Sequence, residues 1–154
     1  MSLFARPPVR RTRDGRFAVS LSAPERELLE LLPQQVAGLL DEPSDPSLQR
    51  LFPPAYHKPE DAEHAEEYRR LMQDDLLGHH REALQVLATT ARATELSEEE
   101  VLAWMRAINS IRLVLGTRLD VSEDDDPLDA TTPEQQIYLL LGYFQECVID
   151  ALSS

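Results

Sequence analysis

Three helix-start signals of one type constrain the fold of this chain more than any other feature. Each has a serine or threonine followed three residues later by a glutamate or glutamine, which is the pattern of a capping box. The signals are SAPE at 22–25, SEEE at 97–100 and TPEQ at 132–135. An amphipathic run follows each one, and a fourth run has helical spacing without such a start. The predicted helices lie at about 23–40, 59–94, 97–119 and 132–152.

The first part of the chain predicts two strands instead. In PVRRTRDGRFAVSL at 8–21, Asp14-Gly15 tolerates the positive φ of a tight turn, and alternating apolar residues follow it. We therefore expect a mainly α fold, a single-domain helical bundle of about four main helices with a short N-terminal β-hairpin. Within it we expect a basic N-terminal arm and β-hairpin at 1–22 and an α-helical bundle domain at 23–154.

Charge divides the chain into two parts. Residues 1–16 contain five arginines and one aspartate, a local charge of +4, and the whole chain has a net charge of −13, so the other 138 residues carry −17. A reader of duplex DNA needs a basic face, so the acidic body argues against that class. An acidic body suits a basic protein surface, or serves only solubility. The arm is the candidate contact for a partner or for nucleic acid, through Arg6, Arg10, Arg11, Arg13 and Arg16.

The sequence carries no recognisable catalytic or metal-binding motif. It has no Gly-x-Ser-x-Gly, no Gly-rich phosphate loop and no Glu-x-x-His pair, so we expect neither an enzyme nor a cofactor or metal site. His80 falls in a leucine stripe and is expected to be a satisfied core residue. No apolar run approaches the length of a membrane span, and no signal segment is seen, so we expect a cytoplasmic protein without membrane contact.

Cys147 is the single cysteine of the chain, so an intramolecular disulfide is excluded. It lies at the border of the apolar face of the last predicted helix. One interpretation is a buried and inert thiol. The other is a redox role through a bond to another molecule or a sulfenate-type modification.

The stretch INSIRLVLGTRL at 108–119 places an arginine within an apolar helix face. On a helical wheel Arg112 falls at about 40° from Ile108, inside the stripe expected to be buried. A guanidinium there is unfavourable by several kcal/mol unless it is paired, so we expect a carboxylate from another helix. The candidate carboxylates are Glu67, Asp74, Asp75 and Glu146.

Four residues of this stretch form the main candidate site. We interpret them as a structural polar network, in which the glycine lets another backbone approach closely. These residues are Asn109, Arg112, Gly116 and Arg118. The alternative is a site that faces a partner or binds an anion, with Arg112 and Arg118 as its anchors.

Three segments resemble a known family: LFPPAY at 51–56, EEYRRLMQDDL at 66–76 and WMRAINSIRLVLGTRLDV at 104–121. With the pattern Asn-x-x-Arg-x-x-x-Gly-Thr-Arg at 109–118, they resemble an actinobacterial family catalogued as of unknown function, encoded near the Clp protease adaptor ClpS. The resemblance covers nearly the whole chain. Family members include the actinobacterial oxidative stress regulators (AosR), so the resemblance implies a regulatory role and a shared fold.

The resemblance also implies a mechanism that this chain does not share in full. In the regulators a cysteine pair forms a redox-dependent disulfide, and they act with a stress-type sigma factor to raise transcription of antioxidant or cysteine-supply genes. This chain departs from that pattern because Cys147 has no second cysteine. The regulator role and the fold carry over, whereas an intramolecular disulfide switch does not.

We therefore expect a non-enzymatic cytoplasmic regulator that acts through protein–protein contacts, with a sigma factor or RNA polymerase as the partner the resemblance implies. An alternative, suggested by gene neighbourhood, is an accessory protein of the Clp/ClpS proteolysis system. A further alternative is a small anion-binding helical protein. Leu139 lies opposite the buried face of the last predicted helix, so a homodimer is also a hypothesis.

Overall fold

A computed structural model describes residues 6–52, 62–119 and 132–154, apart from the side chains of 62–65 and 69. The elements, in chain order, are strand β1 (Val9–Arg11), strand β2 (Phe17–Val19), helix α1 (Ala23–Leu39), a short 3-10 helix (Pro46–Leu48), helix α2 (Ala62–Thr90), strand β3 (Glu95–Leu96), helix α3 (Glu98–Arg118) and helix α4 (Pro133–Ser153). The predicted mainly α fold with four main helices and an N-terminal hairpin is confirmed.

All three predicted capping boxes are formed. At the start of α1 the Glu25 amide donates to the Ser22 hydroxyl at 3.3 Å, and the Ser22 amide donates to the Glu25 carboxylate at 2.8 Å. The same reciprocal pair of bonds starts α3 and α4. Each pair satisfies two amide groups that a helix start would otherwise leave without a partner. Helix α2 ends at Thr90 rather than near 94, because the chain turns there and enters β3.

The hairpin is the start of a three-stranded antiparallel sheet with the order β1-β2-β3. Gly15 has a φ of 82°, which supplies the left-handed turn expected of Asp14-Gly15. Strand β3 pairs with β2 and sets Leu96 opposite Phe17. This third strand is not predicted from the sequence, because two residues are too few to show an alternating pattern.

Helix α3 holds the centre of the fold, where it packs against α1, α2, α4 and the 3-10 helix. Its Trp104 is fully buried, and the indole Nε1 donates to Thr90 Oγ1 of α2 at 2.6 Å. The hairpin contributes Val9, Phe17 and Val19 to the same core cluster as the helices. Within the described ranges, no helix is both long and apolar enough to cross a membrane.

Arg26 of α1 joins three segments through hydrogen bonds that the sequence does not predict. Its guanidinium donates to the carbonyl oxygens of Val19 at 3.3 Å and Leu21 at 3.4 Å. It also donates to Ala91 at 3.1 Å and Ala93 at 2.6 Å, in the turn between α2 and β3. These carbonyls are partly buried, so the arginine satisfies acceptors that water reaches poorly.

His80 of α2 holds the segment that follows the 3-10 helix. Its Nε2 lies 3.3 Å from Leu51 O, and its Nδ1 lies 3.2 Å from Ser110 Oγ of α3. The Phe52 ring packs edge-on against the imidazole, with 5.8 Å between ring centroids. The prediction that the His80 ring is satisfied is confirmed, but the side chain is half-buried at the edge of the core rather than inside it.

Candidate functional site

The residue at the centre of the candidate site, Arg112, lies in a groove of about 480 Å³ along the outer side of α4. We call it the Arg112 groove. Its lining residues are Arg112, Tyr138, Leu139, Gly142, Tyr143, Gln145, Glu146 and Ile149. Seven of these eight residues come from α4, so this one helix supplies the surface and α3 supplies the cation.

Arg112 is half-buried and is held by polar and aromatic groups of α4. Its Nη1 donates to Gln145 Oε1 at 2.5 Å, and Gln145 Nε2 in turn donates to Asn109 Oδ1 at 3.3 Å. The guanidinium carbon lies 5.0 Å from the centroid of the Tyr138 ring, which is a cation–π distance. Its Nε is buried and has no hydrogen-bond partner among the described residues.

The expected carboxylate partner of Arg112 is therefore corrected to an amide. The side-chain ion pairs of the described chain join Arg16 to Glu95, Arg81 to Asp41 and Arg92 to Glu30. Glu146 also lines the groove, but it is exposed and forms no ion pair with Arg112 of its own chain. The reason is the 100° step between helix neighbours, since Gln145 faces α3 and the next side chain turns towards solvent.

Gly116 makes room for side chains rather than for another backbone. A Cβ atom at this position would lie 3.2 Å from Arg50 Nη1 and 3.4 Å from Tyr138 Cε2. The Tyr138 ring therefore lies between the Arg112 guanidinium and the bare backbone of Gly116. The expected close approach of a second backbone is not seen there.

Arg118 does not join this cluster. It is exposed, and its positive charge acts on Asp45, near the 3-10 helix. The pKa of Asp45 is lowered mainly by hydrogen bonds from the Ser47 hydroxyl and amide, and Arg118 adds to the effect. Arg118 lies six positions after Arg112, which sets the two about 120° apart around the helix. The structure therefore brings Asn109 and Arg112 together and leaves Arg118 elsewhere.

The arginines of the N-terminal arm have two different roles. Arg11 donates from Nη2 to Leu152 O at the end of α4, at 3.1 Å, and lies 4.9 Å from the centroid of the Phe17 ring. Arg16 forms an ion pair with Glu95. The other three, Arg6, Arg10 and Arg13, are exposed. Two of the five predicted contact residues thus make contacts within the chain.

Cys147 is half-buried on α4, one helical turn after Tyr143. Burial raises the pKa of its thiol, and the negative charges of Asp150 and Glu146 act in the same direction, whereas the nearby Tyr143 hydroxyl opposes them. The sulfur is therefore a protonated thiol at neutral pH, which is the less nucleophilic form. A redox role for this residue stays a prediction.

A second surface lies on the first half of α2. Tyr68 and Leu71 are each 65% exposed, and Met72 is 42% exposed. Their spacing of three and four residues places them on one side of the helix. We call these three residues the α2 patch. The exposed carboxylates of Glu67 and Asp75 flank it in the sequence. Exposed aromatic, leucine and methionine side chains together are typical of a protein contact surface.

Sequence reasoning missed the two α4 residues that hold Arg112. Tyr138 and Gln145 are seven residues apart and lie at the border of the apolar stripe of the helix. Their spacing of seven residues indicates that both lie on one side of the helix. It does not assign them to Arg112, because that assignment depends on how α3 packs on α4. In the part of the chain that the structure describes, no group of His, Cys, Asp or Glu side chains is placed to hold a metal ion.

Comparisons with known proteins agree on one family. The model of a domain of unknown function, DUF2017, matches residues 5–152. The chain is 31% identical to a protein named oxidative stress regulator AosR from Mycobacterium tuberculosis (strain H37Rv), over 71% of this chain and 68% of the relative. It is 29% identical to a putative oxidative stress regulator AosR from Mycobacterium leprae, over 80% of this chain and 66% of the relative. No solved structure matches the chain.

Proposed function

The chain belongs to the DUF2017 family, and from this membership we propose that it is a cytoplasmic, non-enzymatic regulator of the oxidative stress response that acts through contacts with other proteins. The single observation that supports the role is the name of its mycobacterial relatives, oxidative stress regulator, at 31% identity over most of both chains. The family match over residues 5–152 includes the strands and helices that form both the core and the exposed faces.

The α2 patch is the surface we assign to the partner. Its three apolar side chains offer the buried centre that a protein interface needs, and flanking carboxylates offer a polar rim. A partner with an apolar surface and a basic rim complements it. The net charge of −13 favours the same class of partner, because it attracts basic surfaces and repels nucleic acid.

We propose a sigma factor or another RNA polymerase subunit as this partner. Such proteins have basic surfaces for nucleic acid, and an acidic regulator suits them electrostatically. The exposed arginines Arg6, Arg10 and Arg13 are a second contact, for the partner or for the nucleic acid that it binds. Arg11 and Arg16 are left out of this contact because they hold the hairpin against α4 and β3.

The test compares two leucine variants of the full chain in the native host. Leu71→Asp places a charge in the α2 patch, whereas Leu31→Asp places the same charge on α1, where the leucine is 46% exposed. We expect Leu71→Asp to weaken capture of the partner by about tenfold or more, since a leucine buried at a contact contributes about 1.5–3 kcal/mol. Leu31→Asp should capture the partner as the wild type does.

Crosslinking mass spectrometry, with and without peroxide, identifies the partner, and transcript levels of peroxide-response genes report the role. Loss of the crosslink and of the transcript response with Leu71→Asp alone would support the proposal. A crosslinked set without any transcription component would contradict it. Unchanged transcripts together with altered lifetimes of Clp substrates would point to the proteolysis system instead.

A further inference from the structure

Helix α4 presents a second face that the bundle does not cover. Leu139, Gly142, Glu146 and Ile149 are spaced by three, four and three residues, so they share the side opposite the buried Leu141, Phe144 and Val148. Ile149 is 44% exposed. A spacing of three and four is the pattern by which one helix packs along another.

Arg112, beside this face, has a positive charge without a negative partner among the described residues. Its guanidinium bonds to the neutral Gln145 amide, its Nε is buried without a hydrogen bond, and it borders the groove. A half-buried cation gains from a carboxylate placed in such a groove. Glu146 is an exposed carboxylate on the same face, and it is not among the ion pairs of the described residues, so it does not pair with Arg112 of its own chain.

The face is complementary to itself. When two copies of α4 cross antiparallel about a two-fold axis at residue 144, Leu139 of one copy meets Ile149 of the other. The same register sets Gly142 opposite Glu146 of the other copy. The Gly142 backbone lies next to the Arg112 guanidinium, since a Cβ there would be 3.5 Å from Nη2. One register therefore pairs the apolar residues and brings a carboxylate to each arginine.

We propose that this face of α4 is a homodimer interface in which Glu146 of each copy pairs with Arg112 of the other. The second copy is the occupant of the Arg112 groove. Two-fold symmetry forms the ion pair twice, and the apolar contact between Leu139 and Ile149 also forms twice. Gly142 lets the carboxylate reach the guanidinium because it places no side chain between them.

The first experiment measures the oligomeric state of the full chain by sedimentation velocity over a series of protein concentrations. The wild type should form a dimer. Glu146→Arg should raise the dissociation constant by about 100-fold, because it sets two arginines against each other at two symmetric places. Glu27→Arg makes the same change of charge at an exposed position of α1 and should leave the dimer unchanged.

The second experiment mixes two variants that are each expected to be monomeric. Arg112→Glu sets glutamate against Glu146, and Glu146→Arg sets arginine against Arg112, so neither should dimerise alone. In a mixed dimer the two substituted side chains face each other with opposite charges. The native Glu146 of one variant likewise faces the native Arg112 of the other. We therefore expect an equimolar mixture to form a heterodimer with close to wild-type affinity.

If circular dichroism shows that Arg112→Glu does not fold, Leu139→Glu and Ile149→Arg replace the pair, because the same register sets these two positions opposite each other. Their mixture should also form a heterodimer. Three results would each overturn the proposal. The first is a wild type that is monomeric at all concentrations, and the second is a Glu146→Arg dimer as tight as the Glu27→Arg dimer. The third is a mixture of folded variants that stays monomeric. None of these results bears on partner capture by the α2 patch, which lies on another helix.

Discussion

At the scale of single residues, Arg26 of α1 joins its helix to two other segments of the chain through four hydrogen bonds. It donates to carbonyl oxygens at the end of β2, before α1 and after α2. Removing it leaves partly buried acceptors unsatisfied. We expect Arg26→Ala to lower the free energy of unfolding by about 2–4 kcal/mol, measured by urea denaturation.

Arg92→Ala is the matched control for this loss. Arg92 forms an ion pair with Glu30, but its side chain is 63% exposed, and exposed pairs contribute at most about 1 kcal/mol. Arg26→Lys should be intermediate, because an ammonium group cannot donate to four carbonyls in the fork geometry of a guanidinium. Equal losses for Arg26→Ala and Arg92→Ala would show that the four bonds contribute little.

His80 makes the stability depend on pH. Burial lowers the pKa of its imidazole from 6.5, so the folded state disfavours the charged form. Stability from this group is complete above the unfolded pKa and is lost as pH falls from there towards the folded pKa. We expect the free energy of unfolding to fall below pH 6.5 with a slope of at most about 1.4 kcal/mol per pH unit.

The measurement compares urea denaturation of the wild type, His80→Gln and His79→Gln between about pH 7 and pH 5. His80→Gln should show a much smaller slope, while His79→Gln, at the exposed neighbouring position, should reduce the slope only slightly, because burial lowers the pKa of His80 more than the charge of His79 does. The lowered pKa values of Asp14 and Asp45 also reduce stability in acid, but only near and below 3.8. A wild-type slope in His80→Gln would assign the pH dependence to another group.

At the scale of elements, the starts of the capped helices follow from sequence alone, because a capping box is local. The hydroxyl, the carboxylate or amide and the two backbone groups that form it lie within four residues. The Asp14-Gly15 turn is local in the same sense, since the positive φ belongs to Gly15 itself. These elements require no knowledge of the rest of the chain.

Elements that depend on distant partners do not follow from the sequence in this way. Strand β3 exists because Leu96 pairs with Phe17 across a long sequence separation. A helical wheel predicts the burial of Arg112. It does not predict its partner Gln145, because the partner depends on how α4 is rotated against α3. A rotation of one residue would have brought Glu146 rather than Gln145 to the guanidinium.

At the scale of the whole molecule, net charge acts against the compact state. The chain carries −13, and the ion pairs described above are at the surface, where each contributes little. Carboxylates spread over the acidic body therefore repel one another more than the pairs attract. Folding brings them closer together, so the repulsion is greater in the folded state than in the unfolded chain.

Salt should therefore raise the thermal stability of this chain. Between about 0.01 M and 0.15 M ionic strength the Debye length falls from about 30 Å to about 8 Å, which screens repulsion across the body but leaves short contacts largely intact. We expect the Tm to rise by about 2–4 °C for each kcal/mol of repulsion that is screened. Thermal melts of the double variant Glu66→Gln, Glu67→Gln should show a smaller rise, because two exposed charges are gone. A Tm that falls with salt would instead mean that attraction between charges outweighs repulsion in the folded state. The acidic surface would then be largely neutralised within the chain rather than available to a basic partner.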